Sequence, residues 1–297
     1  MSIRLNPNTL PDLLAAIEQS TQNLTIATQQ LSTGRGVNQL SDSPAAVAAL
    51  VGNHNQASQD DQYLQNVGTL QSRFQVADST VSSVVTALTR ALSLGVEGAN
   101  GTLNAADRQA LATEVQGLVS QVQSLGNTNF QGAYIFSGTA VNTQPFAADP
   151  VTGAITYSGN SGVATVQLSS GNSVSVNVPG NQLFLNGSGS AFGALQSLNA
   201  ALLSGNNVPA AVTQVQSAIS AVGAQQVFYG NTLNQITQSE SFLNQDKINL
   251  STQENTLIGI DPAAAATNFA QAQLANQSVL AATGRILSLP NLLAFLK

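Results

Sequence analysis

Apolar residues return every seven positions over most of this chain. Leu10, Ile17, Leu24 and Leu31 form a first series, with Leu14, Thr21 and Thr28 on the neighbouring stripe. Val67, Phe74, Val81 and Leu88 form a second, and Leu70, Ala77, Val84 and Ala91 run beside it three residues on. The longest series is Val215, Val222, Tyr229, Ile236, Leu243, Leu250 and Leu257. Val212, Ile219 and Leu233 accompany it on a stripe that turns polar at Gln226, Glu240 and Lys247. Ala272, Val279, Ile286 and Leu293 make the last. A sustained seven-residue repeat is the pattern of α-helices that wrap around one another.

Punctuation residues divide these series into helices. The first stops at Ser32-Thr33-Gly34-Arg35-Gly36, where two glycines break it. A second opens at Ser41-Asp42-Ser43-Pro44, a capping residue before a first-turn proline. Its seam predicts a helix from Pro44 to Leu94, roughly 75 Å at about 1.5 Å per residue. The stretch Gly95 to Gly101 reads as a break. Asn104 then caps a third helix running to about Gly126, with Leu111, Val115, Leu118, Val122 and Leu125 on one face. After Gly205-Asn206-Asn207 comes a long helix that Ile260-Asp261-Pro262 interrupts, and Pro290 ends or kinks the last one.

Between the arms the period changes. Phe130 to Gly138 is aromatic and glycine-bounded, and Val174, Val176 and Val178 alternate with Ser175 and Asn177. Ser170-Gly171-Asn172 separates two such runs, which reads as hairpins. The predicted fold is mainly α with a small β insert. It is a long antiparallel coiled-coil rod, both termini at one end, capped by a small β domain. The segments are a terminal helix in 1–40, an N-terminal rod arm in 41–140, the β domain in 141–190, a C-terminal rod arm in 191–260 and a terminal helix in 261–297. The rod core falls on Val67, Phe74, Val81 and Leu88 facing Val215, Val222, Tyr229, Ile236, Leu243 and Leu250.

Composition narrows the function. The chain has 297 residues, of which 7% are charged, against roughly 25% in an average soluble domain. Ser, Thr, Asn and Gln together number 114. With no Cys there is no thiol nucleophile, disulfide or Cys-based metal site. A net charge of −6 with eight cations does not suit nucleic acid, which needs many phosphates neutralised. The apolar clusters, such as 262–266 and 292–296, are far shorter than a bilayer span, so no membrane is expected as a partner. Met1 to Pro7 lacks the apolar core of a secretory signal.

Candidate chemistry is thin. The single His54 sits among Asn53, Asn55 and Gln56 and reads as a solvated helix residue. Asp60-Asp61 and the other acids are scattered and read as solvated faces. No catalytic, cofactor-binding or metal-binding residue is nominated, and no cofactor is expected. The terminal seams carry Thr or Ala where a robust seam has Leu or Ile, and an isolated helix of that quality is marginal in water. Residues 1–40 and 262–297 are therefore expected to be poorly ordered in the monomer and to fold on assembly. The assembly interface is assigned to Leu10, Ile17, Leu24, Leu31, Ala272, Val279, Ile286 and Leu293.

Several stretches resemble the flagellin superfamily. Gln30-Leu31-Ser32-Thr33-Gly34-Arg35-Gly36-Val37-Asn38 followed by Ser41-Asp42-Ser43-Pro44-Ala45-Ala46 is similar to the family's turn between its first two N-terminal helices. Asn100 to Leu103, Asp107-Arg108 and Leu111 to Leu118 resemble the next family helix, and Gln273-Leu274 with Val279-Leu280 resemble its C-terminal arm. Gly132 to Gly138, Thr143-Gln144-Pro145-Phe146, Tyr157-Ser158-Gly159 and Val174 to Gly180 look like the junction branch of that superfamily, as does the ending Leu292 to Leu296. The sequence departs from the family at Pro7 and Pro11, and where paired acids after the turn are reduced to Asp42.

The resemblance implies a structural subunit of the bacterial flagellum at the junction between hook and filament, assembled head to tail through its terminal helices. A short flagellin that polymerises into the filament is the alternative. It further implies export, through the flagellar type III apparatus and without a cleaved signal, to the cell exterior. The implied partners are other copies of the chain, another hook-associated protein on the hook side, flagellin on the filament side, and an export chaperone on the C-terminal helices.

Overall fold

The computed structural model describes residues 9–39 and 41–287. Seven α-helices are present in it: α1 Thr9–Thr33, α2 Pro44–Gly98, α3 Ala105–Gly126, α4 Gly180–Phe184, α5 Ala191–Ser204, α6 Val208–Ile258 and α7 Pro262–Leu287. Six short strands lie between α3 and α4: β1 Asn129–Phe130, β2 Ala133–Tyr134, β3 Phe146–Ala148, β4 Ile155–Tyr157, β5 Thr165–Ser169 and β6 Asn172–Ser175. The chain is thus mainly α with a small β region. Pro290 and the ending 292–296 lie outside the described residues.

Contacts divide the chain into two compact units. The end unit combines 1–58 with 246–297, and the central unit is 59–245. Both dividing points fall inside long helices, α2 and α6.

In the central unit α2 and α6 run antiparallel. Phe74 meets Tyr229 with ring centroids 5.6 Å apart, edge to face. Twenty-one residues further along α2, Gly95 lies against Val212. The expected break at Gly95 is not a break: α2 continues to Gly98. A Cβ on Gly95 would stand 2.7 Å from a Val212 methyl, and one on Gly98 would collide with Leu202. These glycines are helical positions where α5 and α6 approach too closely for any side chain. Asn104 caps α3 as expected, its side chain accepting from the Asp107 N–H at 2.9 Å.

The strands pair as three separate antiparallel ribbons, β1 with β2, β3 with β4 and β5 with β6, and none of them joins another into a wider sheet among the described residues. A lone two-stranded ribbon is marginal in water, so each needs a helix or an aromatic cluster beneath it. Phe146 of β3, Phe184 of α4 and Phe192 of α5 stack within 5.1–5.8 Å of one another, and Phe136 joins at 5.4 Å from Phe184. Ser239 of α6 donates to the Leu168 carbonyl of β5. The alternation around Val174 to Val178 is not one-sided. Val174, Val176 and Val178 are buried, and so is Asn177, whose amide accepts from the Ala164 N–H and donates to the Gly162 carbonyl.

An 18-residue window of α2 is long and apolar enough to cross a membrane by composition, but 44% of it is buried inside the protein. Val81, Val84, Leu88 and Ala91 of this helix lie in the central core.

Candidate assembly surfaces

The end unit is held by two devices. The first is a clasp between turns. The Gly36 N–H donates to the Ile258 carbonyl at 2.6 Å, the Ile260 N–H donates to the Gly34 carbonyl at 3.2 Å, and Arg35 pairs with Gly259 as an antiparallel bridge. Gly34 takes a left-handed φ of +67°, which glycine adopts without steric penalty. The stretch from Gln30 folds around this point: the Gln30 amide donates to the Gly36 carbonyl, and the Asn38 amide to that of Arg35. Asp42 accepts from the backbone N–H groups of Asn38 and Gln39, both at 2.9 Å, and these two bonds hold its carboxyl below its ordinary pKa. Ser43, not Asp42, caps α2, accepting from the Ala46 N–H. An Arg35–Glu254 contact at 3.9 Å, with Arg35 largely exposed, adds little.

The second device is the antiparallel pairing of α1 with α7. The Asn276 amide donates to Ser20 Oγ at 2.9 Å and to Thr21 Oγ1 at 3.3 Å. Ile17, Leu24, Ala272 and Val279 are half-buried, while Leu31 and Ile286 are exposed. The side chains of Leu10 and Leu293 lie outside the described residues. The buried positions of the pair are Ser20, Ala27, Ala265 and Thr283, with Leu13 half-buried beside them. The companion stripe of α1 is therefore Leu13, Ser20 and Ala27. The expected Leu14, Thr21 and Thr28 are exposed. Leu and Thr at 14, 21 and 28 draw the eye, but helix geometry selects the small residues on the other side.

The same substitution of stripes occurs in α6. Val215, Val222, Tyr229, Ile236 and Leu243 are buried, and Leu250 is half-buried. Their companions in the core are Ala211, Ala218, Thr232 and Ser239, whereas Val212, Ile219 and Leu233 are only partly covered. In α2, Val67, Phe74, Val81 and Leu88 are buried, as is their companion stripe. Asp60 continues the α2 series seven residues before Val67 and is 1% exposed, so the reading of Asp60-Asp61 as a solvated pair fails for its first member. A carboxylate at a core position of a seam costs stability unless it is paired.

Little among the described residues resembles a reaction centre. His54 faces a shallow groove of about 200 Å³ with Lys247 and Glu254 on its walls. Among the described residues no three His, Asp or Glu side chains converge as a metal site. Burial and the neighbouring Arg73 act on the Tyr229 phenol in opposite directions; burial dominates and raises its pKa, keeping it protonated.

What the end unit does present is uncovered apolar surface. Of fourteen large apolar side chains left exposed among the described residues, eight belong to it: Leu14, Ile26, Leu31, Val51, Ile248, Leu274, Leu280 and Ile286. Among its described residues the buried hydrophobic ones are Ala27, Ala46, Ile258 and Ala265, three of them alanine.

The helices can be matched to known proteins. The bacterial flagellin N-terminal helical region matches residues 11–141, and the bacterial flagellin C-terminal helical region matches 207–296, about three quarters of the chain between them. The chain belongs to the flagellin family. Within that family it is 34% identical over 157 residues to flagellar hook-associated protein 3 of Salmonella typhimurium, covering 52% of this chain and 48% of that protein. It is 36% identical over 122 residues to flagellar hook-associated protein 3 of Escherichia coli, covering 41% of this chain and 38% of that protein. The matches thus span half or less of these curated relatives. The flagellar junction protein FlgL from Legionella pneumophila shares the fold, with a TM-score of 0.62 at 16% identity over 71% of this chain and all of that one.

Proposed function

We propose that this chain is a structural subunit of the bacterial flagellum that forms the junction between hook and filament. The observation that carries the reading is the identity of 34% and 36% to proteins named flagellar hook-associated protein 3. The end unit supports it physically. A pair of helices that buries alanines and hydroxyls between themselves while exposing Leu14, Leu274, Leu280 and Ile286 is suited to be covered by neighbours. In this reading Ile17, Leu24, Ala272 and Val279 form the seam within a subunit. Leu31 and Ile286, with Leu14, Leu274 and Leu280, meet other subunits, and Leu10 and Leu293, which continue the same seven-residue series in the sequence, are assigned to the same interface. Head-to-tail repetition of unlike faces builds such an assembly.

The role is mechanical, with no reaction to catalyse. The partners are further copies of the chain, another hook-associated protein on the hook side and flagellin on the filament side. Export through the flagellar type III apparatus places the chain outside the cell, and a chaperone holds the C-terminal helices beforehand.

Deletion of the gene tests the proposal. The expected cells carry hooks without filaments and release flagellin into the medium. Filaments of ordinary length on the deletion strain would sink the junction reading. A short flagellin, the second reading, predicts instead that the purified chain extends filament seeds into long polymers.

A further inference from the structure

Two asparagines of the chain precede glycine, in Asn100-Gly101 and Asn186-Gly187. In such a pair the main-chain nitrogen can attack the side-chain amide before it, because glycine places no Cβ beside that nitrogen. The structure sets the two pairs in different surroundings. Asn100 and Gly101 are exposed in the turn between α2 and α3. The Asn100 Oδ1 accepts from the Thr102 hydroxyl at 3.0 Å and from the Thr102 N–H at 3.3 Å. The Gly101 N–H has no acceptor among the described residues, so its proton is open to solvent. Asn186 is also exposed, but its side chain makes no hydrogen bond to the turn that follows. That turn, Gly187–Gly189, holds Gly187 at a left-handed φ of +47°.

We propose that Asn100 is a site of spontaneous deamidation, that it converts ahead of Asn186, and that Thr102 sets its pace. The Gly101 nitrogen gives its proton to hydroxide and bonds to Asn100 Cγ. Negative charge then gathers on Oδ1, where the two Thr102 donors already sit and stabilise it. The leaving nitrogen takes a proton from water, the Cγ–Nδ2 bond breaks, and ammonia departs from a cyclic imide. Water opens that imide at either carbonyl, leaving aspartate or isoaspartate in place of Asn100. The reaction consumes only water and needs no oxidant, cofactor or partner. Its product puts a carboxylate at the C-terminal end of α2, where the Asn100 N–H donates to the Glu97 carbonyl at 3.1 Å. Negative charge is disfavoured there by the helix dipole. The isoaspartyl form also lengthens the main chain at the entry to α3.

The test holds the purified full-length chain in mildly alkaline buffer and follows both asparagines by peptide mass mapping. Labelling with an isoaspartyl methyltransferase marks the isoaspartate. Asn100 is expected to convert about threefold faster than Asn186 or more, and the gap to close in urea, where the Thr102 bonds are lost. Thr102→Val keeps the N–H, removes the hydroxyl and is expected to slow Asn100 by about threefold, whereas Thr102→Ser retains the rate. Gly101→Ala is expected to slow it by about tenfold, since a Cβ hinders the attacking nitrogen. The turn accepts that change, because the new Cβ meets open space and Gly101 is not at a positive φ. If Thr102→Val melts early in circular dichroism, Thr102→Ala, which also removes the hydroxyl, decides in its place. Conversion of Asn186 that matches or outruns Asn100 in the folded chain overturns the proposal. So does a gap that persists undiminished in urea, or an unchanged rate in the deciding Thr102 variant.

Discussion

The end unit and the central unit are written in the same seven-residue repeat, yet they bury different things. In the central unit the repeat closes over Phe74, Val81, Leu88, Val222, Tyr229 and Ile236. In the end unit it closes over Ser20, Ala27, Ala265 and Thr283 and leaves Leu274 66% and Leu280 51% exposed. The first is a core that supports itself. The second leaves Leu14, Leu274, Leu280 and Ile286 outside and covers its larger seam residues, such as Ile17 and Leu24, only in part. A period therefore tells which helices pair, and the size of the residues at the companion positions tells whether the pair is finished.

The sharpest way to break that contrast is to truncate matched seam positions. Phe74→Ala should destabilise the central unit by about 3–5 kcal/mol, because a fully buried ring that packs on Tyr229 leaves a cavity. Ile17→Ala, half-buried in the α1–α7 seam, should cost only about 1 kcal/mol. Urea titration of each full-length variant, followed by circular dichroism, compares them. Equal losses would show that the two seams are equally self-sufficient.

A smaller effect is expected where the central unit is packed against glycine. A Cβ on Gly126 would stand 2.7 Å from the Phe146 ring, which sits amid Tyr157, Phe184 and Phe192 and has little room to turn. Gly126→Ala should cost about 1–3 kcal/mol through overpacking. The control is Gly117→Ala on the same helix, where a new methyl meets open space and helix propensity should stabilise by a few tenths to about 1 kcal/mol. Thermal melts that rank the two in the reverse order would contradict the packing described for β3.

Much of this was legible in the chain. The helix limits at Pro44, Gly126 and Pro262 follow from caps and breakers, and the seam of α2 follows from two stripes that are apolar at every position, Val67, Phe74, Val81 and Leu88 beside Leu70, Ala77, Val84 and Ala91. What stayed hidden has a common cause. On α1 and α6 the true companion stripes are Ser20 and Ala27, and Ala218, Thr232 and Ser239, residue types that occur just as often on exposed faces. Asp60 is buried although its sequence neighbourhood reads as solvated, because a carboxylate at a seam position carries no local sign of burial. The clasp of Gly34 and Gly36 with Ile258 and Ile260 joins residues more than two hundred positions apart, and no periodicity reports such a pairing. Gly95 reads as a breaker until the side chains that crowd it are known.

Finishing the weak seam should bring the end unit closer to the central one. Ser20 and Asn276 hydrogen-bond across the α1–α7 interface at 2.9 Å. Replacing both together, Ser20→Leu with Asn276→Leu, removes two polar groups without stranding either and adds apolar contact. The double variant should raise the free energy of local opening in α1 and α7 by about 1 kcal/mol, read as slower amide exchange in the monomer. Each single change should be neutral or worse, because it leaves the other polar group facing leucine. Strong protection of both helices in the unaltered monomer would end the expectation that they order only on assembly.

The smallest effect should come from the turn. Two backbone N–H groups hold the Asp42 carboxyl below its ordinary pKa. A carboxylate whose folded pKa is depressed adds stability that is complete above the unfolded value, about 3.9, and is lost as the pH falls through the lower folded value. Protection of the Asn38 and Gln39 amides should therefore be flat from neutral pH down to about 4 and decline below it. Asp42→Asn keeps one oxygen as acceptor but cannot titrate, so its protection should be lower at neutral pH and insensitive to acid over that window. A decline of the same shape in Asp42→Asn would assign the acid sensitivity of the turn to another group. It would also leave the clasp between Gly34 and Ile260, rather than the carboxylate, as what holds the two turns of the end unit in place.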